Sequence, residues 1–458
     1  MATNITALGI DSPEIQDQVN KLFSSILTTQ QKFNSVVAAD PSKQGQLTDA
    51  LQEYAEQRGR GFLYPYLSTG RGHGPFTECL DGSVKYDLIC AIGPNLLGHS
   101  HPLTIKSHLE AATRDTVMCG NLLPYADALN LSSSLLATVA NSKLRHFWYS
   151  GSGSFANDTA LKMLWQKKAP AYRILAFEKA FAGRSVATQD ITHNEAYRVG
   201  MPETVQVDHV PHFDPSIPGN SIEATIAALD ACWEKNPDQY CVLMLELIQG
   251  EGGFITSSRE DFITVFKWAK EKGIYIWVDE VQTFARTKEL FSFQTLELEE
   301  YVDIVTVGKA LQVCGTLYSE ELNPKPGLVS GTFNGSLAQI IAAGNYLNFL
   351  VNGNFFGEKG RNLELQNSFT SRLEKLKEAN PGKIGYIAGY GTMVTFEVGD
   401  AGKDVTTAYV KKLFDNGLIC FWAGKDPFRV RLLLPLSLTN EHIDEIFSIF
   451  EKTLKEVL

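Results

Sequence analysis

The sequence predicts an α/β fold, with a mainly parallel central sheet in a large domain and a smaller α+β domain at the C-terminal end. Three stretches carry that reading. "CVLMLELI" (241–248) is a continuous apolar run of strand length, and "REDFITVFKWAKEK" (259–272) has helical spacing with Phe262, Phe266 and Ala269 on one face. After Gly273 comes the apolar run "IYIWVDE" (274–280), and "DIVTVG" (303–308) follows the connection "FSFQTLELEEY". Strands apolar throughout and alternating with helices are what a parallel sheet buried on both faces requires.

The other elements follow in order. The first 75 or so residues read as helices and an arm whose packing partner the sequence does not identify. From about Phe355 a long charged helix ("GEKGRNLELQNSFTSRLEKLKEA") precedes the strand candidates "YIAGYGTMVTFEV" and "FRVRLLLPL", and an amphipathic helix starts near Asn440. There is no internal repeat, low-complexity tract or long linker, so the expected division is 1–75 for the arm, 76–350 for the large domain and 351–458 for the small one.

Composition narrows the function. With 458 residues, 44% of them hydrophobic, the chain can bury a substantial core. A formal net charge of −11 without a basic cluster argues against nucleic acid or an anionic membrane as a partner. No apolar run approaches the roughly 18–20 residues of a membrane span. "MATNITALGIDSPEIQ" has neither the basic start nor the apolar core of a secretory leader. Seven cysteines without a CxxC pair show no disulfide framework or metal site and read as small core residues. The expected location is the cytoplasm.

One cation stands out. Lys309 interrupts the apolar "DIVTVGKALQVCG" (303–315), where an ammonium must pair, reach water or give up its proton. A desolvated neutral amine can form a Schiff base with an aldehyde. Taken alone, Lys309 also fits a surface lysine at a strand-to-helix turn. Asp279 likewise follows an apolar strand, and functional groups of an open α/β sheet gather beyond the carboxyl ends of its strands. A lysine-bound pyridine aldehyde needs such a carboxylate at its ring nitrogen. "SGSGSFANDTALKML" (150–164) opens a helix with glycines and serines, whose N–H groups at the positive end of the helix suit a phosphate.

These motifs resemble the class III aminotransferases, pyridoxal-phosphate enzymes of fold type I that include ornithine, acetylornithine, 4-aminobutyrate and lysine 6-aminotransferases. The resemblance runs from about Gly72 to the C-terminus. "SGSFAND" (152–158), "LELIQGEGG" (245–253), "VDEVQT" and "VTVGKALQVCG" match family elements in order. So do "NLLGHSHP", "SGTFNGSLAQ" and "RLLLPLSLTNEHIDE". The resemblance implies that Lys309 is the Schiff-base lysine and Asp279 the partner of the pyridine nitrogen. It implies Gln282 as donor to the ring oxygen, Val281 and Phe181 as the walls of the ring, and Gly153 and Ser154 as phosphate ligands. Thr332 would complete the phosphate site of the other subunit of a homodimer. Among substrate groups, Arg431 matches the arginine for a glutamate carboxylate, Glu251 the acid that covers it, and Arg184 the donor-carboxylate position of the lysine 6-aminotransferase branch.

The sequence departs from the family pattern at Ala182, Phe155 and Leu247, and the glycine usual after Thr283 is missing. The implied activity is ping-pong transfer of the terminal amine of L-lysine or a related ω-amino acid to 2-oxoglutarate, with pyridoxal 5'-phosphate as cofactor. The alternatives are ornithine, acetylornithine or 4-aminobutyrate as donor, or a decarboxylase or aminomutase on the same fold.

Overall fold

The computed structural model describes residues 12–114, 120, 122, 124–214, 216–217 and 219–458. The start of the chain, read above as lacking a secretory leader, lies mostly outside the described residues. The chain divides into two compact units, one holding Glu110–Gly360 and the other Ile10–Leu109 together with Arg361–Leu458.

In the first unit seven strands form one sheet: β1 (Leu144–Ser150), β2 (Arg173–Phe177), β3 (Val207–Val210), β4 (Tyr240–Leu245), β5 (Tyr275–Asp279), β6 (Ile304–Val307) and β7 (Cys314–Ser319). Their order is β1-β7-β6-β5-β4-β2-β3, and only β7 runs antiparallel to its neighbours. Every residue of β4, β5 and β6 is buried, as their unbroken apolar runs require. The helix Arg259–Glu271 lies between β4 and β5 in the chain. Its Ser258 cap accepts the N–H of Asp261, and it buries Phe262, Val265, Phe266, Trp268 and Ala269. The expected strands and this helix are all present, with ends shifted by a residue or a few.

The second unit contains two four-stranded sheets. One pairs Ser68–His73, Phe76–Cys79 and Val84–Asp87 with Leu418–Ile419. The other combines Ile384–Tyr390, Met393–Val398, Arg429–Leu433 and Phe421–Ala423. Helices Arg361–Ala379, Lys403–Asp415 and Asn440–Val457 belong to the same unit.

The expected division 1–75, 76–350 and 351–458 differs from this one. Residues 76–109 join the C-terminal segment, and 351–360 stay with the large sheet. The cause is long-range pairing. Tyr86 and Asp87 lie in parallel register with Leu418 and Ile419, and the N–H groups of Leu433 and Leu436 donate to the carbonyls of Leu88 and Leu96. Among the described residues no helix is long and apolar enough to cross a membrane.

Candidate active site

Parallel order brings the ends of five strands to one edge of the large sheet. Gly153 follows β1, Phe181 follows β2, Glu246 follows β4, Asp279 ends β5 and Lys309 follows β6. Asp279 is in register with Thr306, so strand pairing alone sets the carboxylate beside the segment that carries Lys309. These residues line a cavity of about 230 Å³ with Ser154, Asn157, Val281, Gln282 and Cys314. A roomier hollow of about 560 Å³ in the same unit gathers Lys143, Lys270 and Asp303, but there the lysines already pair with the aspartate.

Lys309 sits at φ 44°, the left-handed region that costs a side-chain-bearing residue about 1 kcal/mol or more. It is half-buried and opens a single helical turn, Lys309–Leu311. Gly308 is required just before it, because a Cβ there would stand 2.9 Å from Cys314 Sγ.

Asp279 is 5% exposed. Its Oδ1 accepts the N–H of Val281 at 2.8 Å and its Oδ2 the Nδ2 of Asn157, also at 2.8 Å. Burial pushes its carboxyl up to about 6, against those two hydrogen bonds and the charge of Lys309, which favour the ionised form. The neighbouring carboxylate of "DEVQ" serves a different purpose. Glu280 accepts from Ser292 Oγ, Phe293 N and Thr283 Oγ1, and so anchors the connection that follows.

The loop after β2 is pinned at four points. Phe181 N donates to Glu246 Oε1 at 2.9 Å, Ala182 N to Thr192 Oγ1 at 2.9 Å, and Arg184 N to Ser154 Oγ at 3.2 Å. Asn157 Nδ2 also donates to the Ala182 carbonyl at 2.7 Å, so one amide ties this loop to Asp279. Between them Gly183 has φ 108°, and a Cβ on it would lie 2.3 Å from Ser154 Oγ. Ser152 caps the helix Gly153–Lys168 by accepting the N–H of Phe155, and Gly153 packs so closely on Val281 that a Cβ would sit 3.0 Å from its Cγ1.

Glu246 and Asn157 are two site residues to which sequence reasoning gave no role. Each left a trace: Glu246 is the single acid inside the apolar run "CVLMLELI", and Asn157 lies in "SGSFAND". Glu246 Oε2 accepts the N–H of Gly250 at 3.0 Å. Burial, with Asp279 close by, pushes its carboxyl up to about 8, while the N–H groups of Phe181 and Gly250 and the charge of Lys309 oppose that rise. Gly250 in turn lies against Gln282, whose amide leaves no room for a Cβ. Gln282 is buried, and its Oε1 has no hydrogen-bond partner among the described residues.

Four expected residues are not part of the cavity lining. Arg184 is exposed, with its guanidinium carbon 3.9 Å from the centre of the Tyr197 ring. Glu251 is half-buried on the turn closed by the pairing of Gln249 with Ile255. Thr332 is exposed, and its carbonyl approaches Gly120. Arg431 belongs to the other unit, where it is fully buried with its guanidinium carbon 5.5 Å from the centre of the Phe421 ring.

Residues 60–454 match the family model described as Aminotransferase class-III. The chain is 29% identical over 396 residues to the acetylornithine aminotransferase of Listeria innocua, covering 85% of this chain and 95% of the relative. It is also 29% identical over 400 residues to the 2-aminoadipate transaminase of Pseudomonas putida, covering 82% and 93%. Among solved structures, the lysine aminotransferase from M. tuberculosis superposes with a TM-score of 0.79 at 21% identity, over 89% of this chain and 100% of that one.

Proposed function

Because the chain belongs to the class III aminotransferases, a pyridoxal-phosphate family of fold type I, we propose that it moves the terminal amine of L-lysine or a similar ω-amino acid to 2-oxoglutarate. The cavity fits the cofactor. It offers an amine on Lys309, a buried carboxylate on Asp279, an amide on Gln282, and the capped helix start at Gly153 and Ser154. Val281 and Phe181 supply apolar walls.

When bound, the cofactor would supply an aldehyde for the amino group and an electron-accepting ring for the substrate carbon. The protein's part is to hold and move protons around it. Lys309 is the group that carries a proton to and from the substrate carbon. Asp279 keeps a proton on the ring nitrogen, and the N–H of Val281 and the amide of Asn157 hold its two oxygens in place. Gln282 donates to the ring oxygen, while Gly153 and Ser154 bind the phosphate.

Gly183→Ala tests this cradle. The added methyl meets Ser154 Oγ in a backbone conformation that costs about 1–3 kcal/mol for alanine. Cofactor affinity is expected to fall about tenfold or more, read by titrating the cofactor-free protein with pyridoxal phosphate. Unchanged affinity would separate Ser154 from the phosphate.

The position of Arg184 carries the choice of donor. Its guanidinium lies outside the cavity lining, against Tyr197, whose ring is in turn 6.5 Å from that of Phe181 on the cavity wall. A carboxylate held there lies outside the lining of the cavity that holds Lys309, which suits a donor with several methylenes between the two ends. Relatives named for acetylornithine and 4-aminobutyrate favour the neighbouring donors as the second reading.

Glutamate formation from 2-oxoglutarate is expected to rise from 4-aminobutyrate to L-ornithine to L-lysine and to exceed that with L-alanine. A preference for L-alanine over every ω-amino donor would overturn the reading. For the acceptor, Arg431 is the proposed carboxylate ligand and Glu251 the acid that neutralises it while the donor reacts. The proposed assembly is a homodimer in which a second copy supplies Thr332, an assignment supported by the exposure of Thr332 outside its own chain's cavity.

A further inference from the structure

The segment 193–203 was given no role by the motifs, yet it supplies the group that fixes Arg184. Tyr197 ends the short turn Glu195–Tyr197, and both sides of that turn are tied down. Asn194 Oδ1 accepts the N–H of Ala196 at 3.2 Å, and Arg198 Nη1 donates to the Thr192 carbonyl at 3.0 Å. The ring it presents meets two others of interest. The Arg184 guanidinium carbon lies 3.9 Å from its centroid, and the Phe181 ring stands against it at 88° with centroids 6.5 Å apart.

At its other end Arg184 is fixed by its N–H to Ser154 Oγ. Its guanidinium pairs with no carboxylate among the described residues. An aromatic face restrains a guanidinium without using up the N–H fork that matches a carboxylate. A carboxylate partner would occupy that fork. Glu195 and Arg198 flank the ring in sequence, and Arg198 Nη1 donates to the backbone carbonyls of Gln189 and Thr192.

We propose that Tyr197 is a specificity-determining positioning residue, which holds the Arg184 guanidinium open toward the donor's carboxylate and sets its distance from the Phe181 wall. This rests on the reading that Arg184 receives that carboxylate. The chemical class selected is an amino acid whose carboxylate is remote from the reacting amine, over the corresponding amine without a carboxylate.

The test uses the holoenzyme and Tyr197→Leu, Tyr197→Phe and Arg184→Ala variants. Donors are the best ω-amino acid of the chain-length series and the amine lacking its carboxylate, which for L-lysine is 1,5-diaminopentane. Tyr197→Leu is expected to raise KM for the amino acid about three- to tenfold, the range of a partly exposed cation–π contact, with kcat nearly unchanged. The carboxylate-free amine and KM for 2-oxoglutarate should not respond. Tyr197→Phe keeps the ring face and should restore the donor's KM.

If Arg184→Ala raises the amino acid's KM but Tyr197→Leu does not, the proposal fails and the donor reading stands. If Arg184→Ala leaves the preference for the carboxylate intact, the donor reading itself fails. Equal losses for both donors and the acceptor in Tyr197→Leu would reduce Tyr197 to a structural part and overturn the proposal.

Discussion

Lys309→Ala is expected to abolish multiple turnover while leaving the fold intact. In the proposed mechanism the variant loses the proton carrier, a contribution of about two to four powers of ten by itself, as well as the covalent anchor of the cofactor. Stability should change little. The position is half-buried and keeps its φ of 44°, a conformation that alanine tolerates no better than lysine. Melting temperature and turnover measured on one preparation separate the two effects. Turnover near that of the parent enzyme would remove Lys309 from the reaction.

The next largest effect is expected from Asp279→Asn. The substitution is nearly isosteric but withdraws the charge that, in the proposed role, keeps a proton on the ring nitrogen, and the donor half-reaction should then slow by about 10²–10³. It also disturbs a hydrogen-bond clamp. Both oxygens of Asp279 accept from N–H donors, so one of them would face the new amide hydrogens. Asn157 cannot simply turn over to compensate, because the same Nδ2 also serves the Ala182 carbonyl.

The pH dependence of the parent enzyme follows from the same group. In that proposed role the ionised carboxylate is the working form, and burial raises its titration to about 6, so activity should fall as the pH drops through that region. Asn157→Ala deletes a hydrogen bond that favours ionisation and should move this acid limb to higher pH. A single-turnover rate that Asp279→Asn leaves unchanged would exclude the role, and an acid limb unmoved by Asn157→Ala would show that another group sets it.

The large sheet was legible because its information is local. "CVLMLELI" and "IYIWVDE" are apolar at every position, and Phe262, Phe266 and Ala269 mark the buried face of the helix between them. Lys309 and Asp279 could be singled out for the same reason, as charged residues at the ends of apolar runs. Which carboxylate of "DEVQ" faces the cavity is likewise a matter of strand geometry. Asp279 lines it, and Glu280 turns to Ser292 and Phe293.

The remainder depends on contacts between distant segments. Glu246 receives N–H groups from residues 65 positions before it and four after it, and only the second could be anticipated from the chain. Asn157 reaches across 122 positions to Asp279. Tyr197 meets Arg184 through space, at a separation that no helical or strand period marks. The expected boundary at residue 75 falls inside one sheet, where Ser68–His73 pairs with Phe76–Cys79 across it and Val84–Asp87 pairs with Leu418–Ile419 from near the far end of the sequence.

That last arrangement sets an order of assembly on the ribosome. Glu110–Gly360 is one contiguous stretch and can leave the exit tunnel complete. Val84–Asp87, by contrast, is synthesised long before the Leu418–Ile419 strand that pairs with it. At about 5–20 residues per second the wait is roughly 15–70 s, during which the early strand has an open edge. A ribosome that stalls or terminates after Gly360 therefore releases the complete large sheet together with a leading segment whose strand Val84–Asp87 lacks its partner Leu418–Ile419 and keeps an exposed edge.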